Sequence, residues 1–303
     1  MFDSLDLALA RVRFSGSVIC WRMAISKRAK SPLLIAVLLA IAALGGIKTV
    51  LAQPTENETA VCGSLREPFT FWMWRRVAGA PHPERVAGMK NVERIQFKTR
   101  DARVLGGYKI AATNPKGYLL VAQGNAMLAD QLVSDLQVFR NQGLDVYVYD
   151  YRGYGTSQGK SRLAAIVGDY AALASNLNTL RYSKRLLYGI SMGGVILLNA
   201  VGESQVYTRL VVDSSPGRIS TLGCPERYDA VAHLPENSSR VMIISGTQDT
   251  IVPPSQMEEL IRVARARGAT VLQDNEFAHP YQDSLEATHR RRQKEVAAFL
   301  LQD

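Results

Sequence analysis

Residues 186–198 read LLYGISMGGVILL. Two apolar runs flank Gly189, Ser191, Gly193 and Gly194. Glycine is poor material for the middle of a strand or helix, because folding must remove its extra backbone entropy. Its place here makes sense at a junction, with a strand over 185–191, a helix over 192–202 and a turn too tight for side chains. Gly189, Ser191 and Gly193 then form G-x-S-x-G, the pattern of a serine held at the tip of a sharp, strained turn. A Cβ at either flanking glycine would collide with the neighbouring strand or helix. The turn lifts the Ser191 hydroxyl above the carboxyl edge of the sheet. It also aims the backbone N–H of Met192, at a helix N-terminus, toward the same spot, which is half of an oxyanion hole.

Working outward, strand and helix patterns alternate. Strands are predicted over 91–99, 104–113, 117–125, 145–155, 209–216, 240–249 and 270–277. Amphipathic helices are predicted over 130–143, 162–180, 255–268 and 281–301. Apolar strands alternating with such helices imply an α/β fold with a mainly parallel, eight-stranded sheet covered on both faces.

The 303 residues carry a formal net charge of +9, unevenly placed. Before Gln53, Arg11, Arg13, Arg22, Lys27, Arg28, Lys30 and Lys48 face only Asp3 and Asp6. The rest of the chain has no basic stripe interleaved with aromatics, so no nucleic-acid partner is expected. The N-terminal imbalance has its own explanation. SKRAKSPLLIAVLLAIAALGGIKTVLAQP has a basic start, an apolar run from Pro32 to Ile47 and small residues at Val50-Leu51-Ala52. That is the form of a secretory signal peptide, with cleavage expected after Ala52. Counted from Met23 the segment fits, so residues 1–22 are expected to be an upstream extension or a mis-assigned start. The alternative is an uncleaved anchor over 32–52, for which the uncharged run is short. Either way the body is expected to be exported, to the periplasm or beyond.

The chain therefore divides into a leader or anchor (1–52), a polar lead-in segment (53–90) and a catalytic-type domain (91–303). Within the lead-in, FTFWMWRR (69–76) is expected to pack against the domain, with contact to a membrane surface as the alternative. Removing the leader removes Cys20 and leaves Cys62 and Cys224. An oxidising compartment allows them to pair, which would pin the lead-in segment against the rim of the site. No His/Cys cluster has zinc spacing, and no metal or cofactor is implied.

A serine at such a turn needs a base and an orienting acid, in the order Ser…Asp…His. Of the four histidines, His82 precedes the first strand and His233 lies upstream of the acid strand. His289 falls in THRRRQK, read as a solvated basic face. His279, after the last strand, can reach back over the sheet edge and is the expected base. Asp249, after the strand before it, is the expected acid, with Asp213 as the runner-up. The second oxyanion donor is expected at Asn125 in VAQGNAM, where Gly124 allows close approach.

With these residues in hand, the chain resembles the α/β-hydrolase superfamily, and within it the compact serine hydrolases called serine-aminopeptidase-like or acylglycerol-lipase-like. The likeness rests on QGNA (123–126), DYRGYGTSQG (150–159), GISMGG (189–194), GTQDTIVP (246–253) and AHP (278–280). It implies an acyl-enzyme mechanism with Ser191, His279 and Asp249, and reads Arg152 as structural. Two departures stand out. The family commonly has His-Gly where this chain has Gln123-Gly124. The stretch from Ser215 to Arg240, where relatives carry a lid, is too short for a helical cap, so an open site is implied. The substrate class is then a small acyl or peptide-like molecule. A non-catalytic hydrolase-fold binding or chaperone protein is the competing reading.

Overall fold

The computed structural model describes residues 58–302. The leader, the alternative anchor and Cys20 lie outside the described residues. Among those that are described, no helix is long and apolar enough to cross a membrane.

Eight strands form one sheet: β1 (Val92–Lys98), β2 (Val104–Ile110), β3 (Gly117–Ala122), β4 (Leu144–Tyr149), β5 (Lys184–Ile190), β6 (Arg209–Asp213), β7 (Val241–Gly246) and β8 (Thr270–Asp274). Their spatial order is β1-β2-β4-β3-β5-β6-β7-β8. β2 runs antiparallel to both β1 and β4, and every other pairing is parallel. This is the expected α/β architecture.

Side chains alternate across the sheet with the two-residue period of a strand. On β3, Tyr118, Leu120 and Ala122 enter one core, and Leu119 and Val121 the other. Helices α3 (Leu163–Leu177), α4 (Met192–Leu197) and α5 (Pro254–Ala266) close the first face. Helices α2 (Ala129–Asn141) and α6 (Glu286–Leu301) close the second. α4 runs on into a π-helical turn over Leu198–Gly202.

β4 stops at Tyr149, short of the expected residue 155, and two helices also differ from the sequence expectation. The lead-in segment contains a full helix, α1 (Arg66–Ala78). It buries Phe71 and Ala78 but leaves Phe69, Trp72, Met73 and Val77 exposed, so the aromatic run packs on one face only. The last helix begins at Glu286 rather than residue 281, because Tyr281 adopts a left-handed φ of 68° and Ala278–Leu285 form turns. Between β6 and β7, three short 3₁₀ turns replace a helical lid. α1 docks on this stretch through the Cys62–Cys224 disulfide and a hydrogen bond from Arg66 Nη1 to the Leu222 carbonyl at 3.0 Å.

DYRGYGTSQG is a structural hub. Arg152 is buried between Asp101 and Asp169, and its Nε donates to Asp169 Oδ2 at 2.9 Å. Asp150 accepts from the Ala129 N–H at 2.8 Å and from the Thr156 N–H at 2.9 Å, tying the start of α2 to this loop.

Candidate active site

Ser191, Asp249, His279 and Asn125 follow the carboxyl ends of β5, β7, β8 and β3, where open parallel sheets place their ligand crevices. Ser191 joins β5 to α4 with φ 54° and ψ −119°, a conformation that costs a non-glycine residue on the order of 1–3 kcal/mol. Its N–H donates to the Asp213 carbonyl at 2.8 Å, which fixes the turn from the neighbouring strand. The glycines fit as the sequence required. A Cβ on Gly189 would lie 2.5 Å from Gly194 Cα, and one on Gly193 would strike the Ala122 carbonyl of β3.

His279 and Asp249 meet. His279 Nδ1 lies 2.8 Å from Asp249 Oδ2, and both side chains are buried. Asp249 Oδ1 accepts the N–H groups of Ile251 at 2.9 Å and Val252 at 2.8 Å. Burial alone would raise this carboxyl pKa. The hydrogen bonds from His279, Val252 and Ile251 outweigh it and hold the pKa below the ordinary value. An ionised Asp249 assigns the proton of His279 to Nδ1 and leaves Nε2 as the basic nitrogen.

Ser191, His279, Gly124 and Asn125 line one cavity of about 390 Å³, walled by Trp74, Val77 and Ile251. A separate groove of about 700 Å³ along α5 and β8 contains none of these residues. The Ser191 hydroxyl makes no hydrogen bond to a described residue. In unliganded sites such contacts are commonly long and tighten with substrate. The N–H groups of Asn125 and Met192 are likewise unpaired; the latter opens α4, where helical N–H groups lack internal partners. The Asn125 side chain is anchored from behind, its Oδ1 accepting from Tyr154 OH at 2.6 Å.

Asp213 takes another role. Its Oδ1 accepts from Arg292 Nη1 at 2.8 Å and its Oδ2 from Tyr188 OH at 2.9 Å. The same guanidinium reaches Asp283 Oδ1 at 2.9 Å and the Ala278 carbonyl at 2.6 Å. Arg292 therefore clamps the loop that presents His279. It lies within the THRRRQK stretch read as a solvated face, yet it is 1% exposed. Nothing in a run of three arginines marks which one turns inward.

The other histidines stand apart. His82 contacts Glu84 and His233 contacts Glu203. His289 sits between Asp283 and Gln293. Beneath the oxyanion loop, Gln123 is fully buried. Its carbonyl accepts from Tyr151 OH and its Oε1 from Tyr170 OH at 3.3 Å, while Nε2 has no partner. Among the described residues, no cluster of His, Cys, Asp or Glu could hold a metal ion.

Residues 113–223 match the family described as serine aminopeptidase, S33. An uncharacterized yeast membrane protein, YNL320W of Saccharomyces cerevisiae, is 27% identical over 188 residues, covering 55% of this chain and 66% of that protein. YfhR of Escherichia coli, also uncharacterized, is 25% identical over 221 residues, covering 64% of this chain and 76% of its own. Among solved structures, the Pyrococcus furiosus esterase Pf2001 superposes with a TM-score of 0.59 at 16% identity, over 73% of this chain and 95% of that one. XC6422 of Xanthomonas campestris, an α/β serine hydrolase without lid, gives 0.56 at 16% identity, over 71% and 97%. At these identities the superpositions speak to fold.

Proposed function

We propose that this chain, which belongs to the α/β-hydrolase superfamily, is an exported serine hydrolase that cleaves an ester, thioester or amide through an acyl-enzyme. The observation that carries the reading is the 2.8 Å contact between buried Asp249 and His279, in a cavity that also holds Ser191 on its strained turn. Ser191 Oγ attacks the substrate carbonyl carbon while His279 Nε2 takes its proton. The carbonyl oxygen, now an oxyanion, is held by the N–H groups of Met192 and Asn125. Asp249 holds the ring in the required tautomer and stabilises the imidazolium. His279 then returns the proton to the leaving group, and water releases the acyl group by the reverse sequence. Export is supported by the leader-like sequence before Gln53 and by the Cys62–Cys224 disulfide, since disulfides persist in oxidising compartments.

A fluorophosphonate probe tests the reading. Wild type is labelled at Ser191 and hydrolyses acyl p-nitrophenyl esters, and Ser191→Ala loses both label and turnover while remaining folded. Unchanged turnover in Ser191→Ala sinks the mechanism. Labelling without turnover of any ester, thioester or amide points instead to a binding protein on this fold.

A further inference from the structure

A second cavity, of about 90 Å³, adjoins the first and shares Asn125 with it. Its lining is mainly apolar, with Phe71, Leu163, Met192, Ile219, Leu222 and the Cys62–Cys224 pair on the wall beside Thr70. No part of this wall comes from a lid domain. Part of it is α1, from the lead-in segment, which is stapled to the 3₁₀ turn that stands where a lid would begin.

The staple is reinforced by Glu67, which is 3% exposed. Its Oε2 accepts the N–H groups of Val61 and Cys62, each at 2.6 Å, and its Oε1 the N–H of Leu163 at 2.8 Å. One carboxylate thus joins the cysteine turn, α1 and the start of α3. The fit is specific, because each element supplies part of the cavity wall.

We infer that this cavity is the acyl subsite of the proposed hydrolase, built for a short apolar acyl chain and kept in shape by the disulfide-pinned α1. The inference rests on the reading above, which puts the carbonyl oxygen between the N–H groups of Asn125 and Met192. Both of those residues border the small cavity, Met192 there and not on the wide cleft, Asn125 on both. His279 lies on the wider cleft with Pro280 and Gln282, and it must protonate the leaving group. The leaving group therefore occupies the wide cleft, and the acyl substituent points into the small one. A dry cavity of ~150 Å³ holds a six-carbon ring, so about 90 Å³ holds roughly four carbons. The oxidised chain is then selective for short acyl groups, and reduction loosens the wall that enforces this.

The test is a series of p-nitrophenyl esters from acetate through butyrate to octanoate, with kcat/KM measured on the oxidised full chain. The leaving group is constant, so the series reads the acyl side alone. The expected profile peaks near butyrate, about tenfold or more above acetate, and falls by octanoate. Thr70→Phe, on the half-buried face of α1 that lines the cavity, lowers the butyrate-to-acetate ratio about tenfold. Dithiothreitol lowers the same ratio in wild type. A flat acyl profile, or one unchanged by both Thr70→Phe and reduction, overturns the inference while leaving the hydrolase standing. No ester turnover together with no label at Ser191 is the distinct failure of the hydrolase reading, and the subsite falls with it.

Discussion

Asp249 Oδ2 and His279 Nδ1 lie 2.8 Å apart although thirty positions separate them, while Asp213, one strand earlier, binds Arg292 instead. The two aspartates divide the work. Asp249 touches the candidate base directly. Asp213 acts only through Arg292, whose other bonds go to Asp283 and the Ala278 carbonyl beside His279.

This division predicts opposite signatures for two isosteric changes. Asp249→Asn removes the charge that selects the His279 tautomer, and kcat should fall by roughly 10³–10⁴-fold with little change in melting temperature. Asp213→Asn leaves Arg292 paired with Asp283 but trades a charge-assisted hydrogen bond in the core for a neutral one, and it should cost about 1.5–3 kcal/mol in urea unfolding, with a smaller loss of kcat. Steady-state kinetics paired with unfolding curves on both variants checks this, and a reversed order would place the orienting acid at Asp213.

Acid sensitivity should trace to Asp101. The hydrogen bond from Arg152 outweighs burial and lowers its pKa from 3.8 to about 2. A carboxylate with a depressed folded-state pKa stabilises the fold above its unfolded value, and this is lost as pH falls through the folded one. The pH-dependent part of the Asp101→Asn destabilisation should be about 2 kcal/mol above pH 5 and fade between roughly pH 4 and 2. Unfolding free energies of both proteins across that range measure it, and a difference independent of pH would refute the assignment.

The disulfide closes a span of 162 residues. The chain-entropy estimate for so long a loop is about 5 kcal/mol, an upper figure because the reduced unfolded chain retains some structure. Cys62→Ser/Cys224→Ser should unfold at lower urea than oxidised wild type, and dithiothreitol should bring wild type to the same midpoint. If dithiothreitol leaves the wild-type midpoint unmoved, the staple contributes nothing to stability.

Protein recovered from the cell envelope should begin near Gln53. Val50-Leu51-Ala52 after the apolar run gives the small-residue pattern of a cleavage site. N-terminal sequencing reads this directly, and a mature chain that keeps residues 33–47 would mean an anchor.

The regular core was legible because its signals are local. Alternating strands, helix-stopping glycines and the G-x-S-x-G turn each sit within about ten residues of sequence. Asp249 and His279 were reachable by order and strand-end position. α1 was not, because FTFWMWRR is aromatic on every side, and Leu65 before the helix offers no capping side chain. Glu67 and Arg292 were equally silent. Their meaning lies in partners such as Leu163 and Asp213, 96 and 79 positions away, and no local pattern encodes such a meeting.

The distance between Cys62 and Cys224 also sets an order of events at birth. Synthesis at ~5–20 residues per second separates the two thiols by on the order of ten seconds. During that interval Cys62 has no intramolecular partner except Cys20, if the leader is still attached. β1 to β6 and the Ser191 turn are all made before Cys224, whereas Asp249 and His279 come after it. Every residue lining the small cavity is therefore made before Asp249 and His279. A chain truncated just after residue 224 and carried into an oxidising compartment would hold every lining residue of that cavity, the Cys62–Cys224 pair included, and would lack Asp249 and His279.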